Sequence, residues 1–238
     1  MKRLLNVMGV VVLAMSGTAA KGQNGGKFVP PKLVNAGEIA YPVNSNSPGF
    51  VTLQVNLDGN ANIQNIQVMR DVPPLTSAAQ TAVQGWSFAA GTLNGSGAPS
   101  SIQVTAVFNP FNPAGVGLPS PGLGPGADIG SAPYIPARVA SATYATYPPN
   151  STAFGTVVLD VRIGSGGDVK RVNVVHGVAA LTGSAITAVK TWGFSPAKRN
   201  GKTVDSRTVV AIVFPSPALG TLKIACCSMP VPSVSLNR

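Results

Sequence analysis

The sequence predicts an α+β fold: two tandem ββαβ domains, each a three-stranded antiparallel sheet with one helix packed on one face. Three observations carry this expectation. First, the chain aligns with itself without gaps at a shift of 106 residues. Tyr147 falls on Tyr41, Gly155 on Gly49, and Val157, Leu159 and Val161 on Val51, Leu53 and Val55. Leu181 falls on Leu75, Trp192 on Trp86, Phe194 on Phe88, Asn200-Gly201 on Asn94-Gly95, and Phe214 on Phe108. So many coincidences in one register mark a duplicated unit, and a period this long means tandem domains rather than a solenoid. Second, apolar residues in each unit alternate with period two, switch to helical spacing, and return to strand spacing. Third, only 10% of the 238 residues are charged, while Gly (27) and Pro (21) are abundant, a composition of strands, turns and linkers rather than of a helix-rich enzyme.

Residues 1–20 pair Lys2 and Arg3 with an apolar stretch from Leu4 to Met15 and then small residues Gly17, Ala19 and Ala20. This is the pattern of a secretory signal peptide with cleavage near Ala20. The alternative is an uncleaved anchor, although the apolar run falls short of the roughly 20 residues of a membrane-spanning helix. No Cys follows the run, so no lipid-modified N-terminus is expected. Residues 21–40 read as a polar lead-in.

The first unit spans residues 41–108. Val51, Leu53, Val55 and Leu57 alternate with Thr52, Gln54 and Asn56, the mark of a strand with one buried face. Asp58-Gly59-Asn60 supplies a turn, and Ile66 and Val68 mark a second, antiparallel strand. Ile63 breaks its alternation and predicts a bulge or a late start. Leu75, Ala79, Ala82, Val83 and Trp86 then form one apolar helix stripe, and a third strand runs from Ile102 to Phe108.

Residues 109–140 are rich in Pro and Gly and read as a loose linker. The second unit, within residues 141–215, repeats the design. Val157, Leu159, Val161 and Ile163 form an inner face, Gly164 to Asp168 a turn, and Val172 and Val174 the inward residues of strand two. Leu181, Ala185, Ala188, Val189 and Trp192 make the helix stripe, Asn200-Gly201 a tight turn, and residues from about Arg207 to Phe214 the third strand. In the tail, residues 216–238, Cys226 and Cys227 are neighbours, so a bridge between them is disfavoured by geometry. Unpaired thiols or an intermolecular bridge are the expected state. The stretch from Leu222 to Cys226 is strand-like and a candidate cover for a sheet edge.

The formal net charge is +10. Lys and Arg form no run and are not interleaved with aromatics, so nucleic acid is not the expected partner. The charge is uneven. Residues 41–108 carry Arg70 against Asp58 and Asp71, a balance of −1, whereas residues 147–214 carry eight Lys and Arg against three Asp, a balance of +5. Either the second unit keeps a solvated basic surface, or it faces an acidic partner or an anionic envelope polymer.

Catalytic chemistry is not expected. His176 is the only His and sits at the end of strand two, and Glu38 is the only Glu. Asp58, Asp160 and Asp168 lie on the first hairpins, where Asp serves turns and solvated faces. No Ser/His/Asp set, metal-ligand spacing or phosphate loop is present; Gly164 to Gly167 joins strands and opens no helix. No cofactor and no metal are expected.

The second unit resembles the C-terminal domain of TonB-family proteins. The matching residues are Tyr147-Pro148, the alternating strand Gly155 to Ile163, the Gly-rich turn, the helix Leu181…Ala185…Ala188-Val189, Trp192-Gly193-Phe194-Ser195-Pro196-Ala197, Asn200-Gly201-Lys202 and a last strand ending in Phe214. The first unit looks like a diverged copy: Trp86-Ser87-Phe88 and Asn94-Gly95 remain, but Ala90 stands where the second unit has Pro196.

The resemblance implies a periplasmic domain that grips an extended peptide of an outer-membrane receptor or other envelope protein. The peptide would add to the free edge of the third strand, where unpaired N–H and C=O groups await a partner. By position that edge is Arg207, Thr208, Val209, Val210, Ala211, Ile212 and Val213. Its counterpart in the first unit is Ile102, Gln103, Val104, Thr105, Ala106 and Val107. The other outcomes are that the two units pair with each other along these edges, that the tail covers one, or that copies of the chain self-associate there. Two other functions stay open beside peptide recognition in TonB-dependent transport. One is an anchored energy transducer, which needs the leader to stay attached. The other is a structural envelope protein whose basic unit rests on peptidoglycan.

Overall fold

The computed structural model describes residues 26–42, 48–110, 134–149 and 151–216. Two short strands come first, β1 (Phe28–Val29) and β2 (Lys32–Asn35). The long hairpin β3 (Gly49–Leu57) and β4 (Ile63–Arg70) follows, then helix α1 (Leu75–Gln84). Three short strands, β5 (Ser87–Ala89), β6 (Gly91–Leu93) and β7 (Ser96–Ala98), lead into the long β8 (Ser100–Phe108). The second half repeats the order: β9 (Tyr134–Ile135), β10 (Arg138–Ser141), β11 (Gly155–Ile163), β12 (Val169–His176) and α2 (Ala179–Lys190). It ends with β13 (Gly193–Ser195), β14 (Ala197–Arg199), β15 (Lys202–Val204) and β16 (Ser206–Phe214). Every strand of the second half starts 106 residues after its counterpart, including β9 and β10. Those two strands fall where the Pro and Gly content had predicted linker.

The six long strands form one sheet in the order β12-β11-β16-β8-β3-β4. This corrects the expectation of two separate three-stranded sheets. Within each half the strands pair antiparallel, and the two halves are joined by a parallel seam between β16 and β8. Its register sets Val209 beside Val104, Ala211 beside Ala106 and Val213 beside Phe108.

The helices lie on opposite faces of this sheet. One apolar cluster gathers Leu75, Ala79 and Val83 of α1 with Val51, Leu53, Val55, Ile102, Val104 and Ala106, and also with Val209, Ala211 and Val213 from the other half. A second cluster gathers Leu181, Ala185 and Val189 of α2 with Val157, Leu159, Val161, Val210, Ile212 and Phe214. Successive side chains of a strand point to opposite faces. Strand β16 therefore feeds the core under α1 with its odd-numbered residues and the core under α2 with its even-numbered ones.

Each helix covers only part of its face, and the lead-in of the same half covers more, lying over strands of the other half. Leu33, Ala36 and Ile39 join the first cluster together with Val158 of β11. The backbone N–H of Ile39 donates to Thr156 Oγ1 at 3.0 Å, and the Thr156 hydroxyl lies 3.0 Å from the Ile39 carbonyl. On the other face, Ala137, Val139 and Ala145 join Phe50 and Val107 of the first half. There Asn109 Nδ2 donates to the Ala145 carbonyl at 2.6 Å and the Ala145 N–H donates to Asn109 Oδ1 at 3.2 Å. Each half thus reaches across the seam, and strands that would otherwise carry a solvated face are buried on both.

Local chemistry behaves as the residues dictate. The register of β3 with β4 slips between Asn56 and Leu57, opposite Ile63, which is the expected bulge. Asn94-Gly95 and Asn200-Gly201 form the tight hairpin turns β6–β7 and β14–β15, with φ of 55° and 86° in one and 48° and 77° in the other. Gly167 also has a positive φ, of 90°, and a Cβ there would collide with the Phe194 carbonyl oxygen. Gly167→Ala is therefore expected to lower stability by about 1–3 kcal/mol, read as a lower urea midpoint at unchanged slope. Among the described residues no helix is long and apolar enough to cross a membrane. The leader, the Leu222 to Cys226 stretch, Cys226 and Cys227 lie outside the described residues.

Candidate peptide-binding edges

Both third strands, named above as open edges, are occupied. Residues 207–213 of β16 are bonded to β11 on one side and, from Val209 onward, to β8 on the other. Residues 102–107 of β8 are bonded to β3 and, from Val104 onward, to β16. Of the outcomes named from the sequence, the two halves pair with each other. The physical reason is legible in side chains: Val209, Val210, Ala211, Ile212 and Val213 are all buried to within 1%. A strand that is apolar on both faces is stable only inside a sheet covered on both sides.

Among the described residues the sheet instead ends in β4 and β12, each bonded to a neighbour on one side only. Their apolar residues are incompletely covered. Val68 of β4 is 38% exposed and Val174 of β12 is 45% exposed, although both point to the side that carries their own helix. The helices touch the rim strands as well as their inner neighbours, yet leave these two valines part-exposed. Val174, read from the sequence as an inward residue, is therefore a rim residue.

The two rims differ in charge. On β12, Arg171 stands opposite Arg162 of β11, and Arg162 stands opposite Arg207 of β16. Three arginines thus form a row across three neighbouring strands. At the corresponding positions of the first half, Asn65 stands opposite Asn56, and Asn56 opposite Ser101. Arg207 is neutralised by the buried Asp160, with which it forms an ion pair. Asn173 Nδ2 also reaches Asp160 at 3.4 Å. Burial raises the Asp160 carboxyl above its ordinary value, and the nearby Arg207 only partly offsets this. Arg162 and Arg171 are exposed, and among the described residues neither has a carboxylate partner.

The remaining polar groups are local. Lys170 pairs with Asp168 at 2.9 Å, which lowers that carboxyl and raises the lysine. His176, at the end of β12, lies 3.7 Å from Glu38 of the lead-in. Asp58 accepts from the N–H groups of Asn60 and Asn62, both at 2.8 Å, as a turn former does. Trp192 buries its ring and donates Nε1–H to the Thr143 carbonyl at 3.0 Å. Sequence reasoning missed the arginine row. Its alignment depends on a register shift between Arg162 and Ile163, the counterpart of the bulge at Ile63 in the first half.

The chain was compared with known proteins. No curated protein and no solved structure matches it significantly. One family matches, over residues 144–215, a span that begins at Tyr144 and runs through β11, β12, α2 and β16. That span holds the Tyr147-Pro148 start, the Trp192 to Ala197 segment and the Asn200-Gly201 turn on which the resemblance rested. Residues 144–215 match the family of Gram-negative bacterial TonB protein C-terminal domains.

Proposed function

We propose that this is a periplasmic protein that recognises extended segments of outer-membrane or other envelope proteins by β-strand addition, and that β4 and β12 are the strands that accept them. The family of residues 144–215 ties the chain to the bacterial envelope and to TonB-dependent transport. The observation that carries the choice of strands is the sheet order: β4 and β12 are the two outermost strands, and the third strands are spent on each other. An outermost strand keeps a row of backbone donors and acceptors that a foreign extended backbone can satisfy.

The test is a titration of the isotopically labelled chain with peptides from the N-termini of envelope receptors, following backbone amides. Shifts are expected within residues 63–70 or 169–176, with residues 102–107 and 207–213 silent. Shifts confined to turns, or centred on residues 207–213, would overturn the assignment. The anchored-transducer reading requires residues 1–20 to remain attached. A mature chain beginning near Lys21, found by mass spectrometry of the cellular protein, removes it. The basic surface of the second half supports the peptidoglycan reading, for which binding to isolated sacculi should fall steeply with salt.

A further inference from the structure

We propose that the β12 rim, rather than the β4 rim, is the principal docking edge, and that its occupant is an extended segment in which a carboxylate is set among apolar β-branched residues. This rests on the strand-addition reading above and deepens it. Three independent features converge on β12. Among the described residues no strand is hydrogen-bonded to its outer side, although β2 packs close to it. Val174 leaves apolar surface uncovered on one face of the rim. On the other face stands the Arg171–Arg162–Arg207 row, of which, among the described residues, only Arg207 has a carboxylate partner.

Like charges set directly opposite one another on neighbouring strands repel, so the row costs stability in the unbound protein. The first half shows that the fold does not need it, because Asn65, Asn56 and Ser101 fill the same places. An anion at the end of the row relieves the repulsion. Strand spacing is about 4.8 Å, so a backbone added beside β12 continues the row by one position. Its residue opposite Arg171 lies on the arginine face, where an Asp or Glu matches the guanidinium fork. Its residues opposite Val172 and Val174 lie on the other face, where apolar side chains cover Val174. The residue opposite Asn173 is best uncharged, because Asp160 lies directly across from Asn173. The β4 rim, IQNIQVMR, offers amides at the matching places and so lacks the charge preference.

The experiment uses the full labelled chain, a capped nine-residue peptide of Val and Thr with one central Glu, its Gln-for-Glu counterpart, and the double variant Arg162→Gln/Arg171→Gln. Both arginines are exposed and, among the described residues, lack carboxylate partners, so the variant should keep the fold. The expected result is amide shifts centred on residues 169–176. At low salt the acidic peptide should bind about 2–5-fold more tightly than the Gln peptide, as one rim charge pair provides. That preference should disappear in the variant and at high salt. Shifts on residues 169–176 that are equal for both peptides overturn the charge specificity and leave strand addition standing. Shifts on residues 63–70 alone also overturn this inference without touching that reading. Concentration-dependent shifts on β12 without peptide would assign the rim to a second copy of the chain instead. No shift at either rim with any peptide overturns both proposals.

Discussion

Ala211→Glu is expected to unfold both halves of the protein together. Ala211 is fully buried and sits beside Ala106 across the parallel seam. It belongs to the second half, yet its side chain lies in the apolar cluster under α1 of the first. A carboxylate there has no counter-charge and no room, and the cost of several kcal/mol compares with the whole stability of a typical domain, about 5–15 kcal/mol. The readout is the pair of indole N–H resonances. Trp86 and Trp192 lie in different clusters, one in each half. Both resonances should leave their native positions in the variant. If Trp86 stayed native while Trp192 shifted, the halves would be independent domains.

Arg207→Met should cost about 3–5 kcal/mol at neutral pH, because it leaves Asp160 buried without its counter-charge. Asp160 is fully buried, and one of its oxygens, Oδ1, already has no hydrogen-bond partner among the described residues. The pH dependence has a definite sign. Burial raises the folded-state value of this carboxyl above the unfolded one. Its ionisation therefore opposes folding above the raised value, and the penalty fades as pH falls through that value. Without Arg207 the value rises further. The deficit of the variant should be largest at neutral pH and shrink on acidification. Urea titrations at several pH values measure this, and Asp160→Asn in the Arg207→Met background should recover part of the loss. A deficit that grows on acidification would show that Asp160 is not the group left unpaired.

Much of each half was legible in residue spacing. Val51 to Leu57 and Val157 to Ile163 alternate because one face of each strand meets a helix, and period two reports that directly. Leu75, Ala79 and Val83, with their counterparts Leu181, Ala185 and Val189, are buried as the helical stripe predicted. What lies beside a strand is harder to read, because side-chain periodicity reports faces and says little about edges. A signal existed nonetheless. The unbroken apolar run Val209 to Phe214 does not suit the outermost strand of a half-solvated sheet. Strands β9 and β10 were hidden for another reason. At two and four residues they are too short for periodicity, and the Pro and Gly around them resembled a linker. The 106-residue shift does extend upstream to them, placing Tyr134 on Phe28, Pro136 on Pro30 and Val139 on Leu33. The arginine row needed the register itself, which the bulge sets.

The parallel seam is the feature from which the covered third strands, the two open rims and the shared cores all follow. Its most direct test is a set of cross-strand nuclear Overhauser contacts in the dilute, peptide-free chain. The expected result is contact between the backbones of Val104 and Val209 and of Ala106 and Ala211, with the amides of both strands among the slowest to exchange with solvent. Absence of those contacts, with residues 207–213 exchanging freely and shifting when an extended peptide is added, would contradict it.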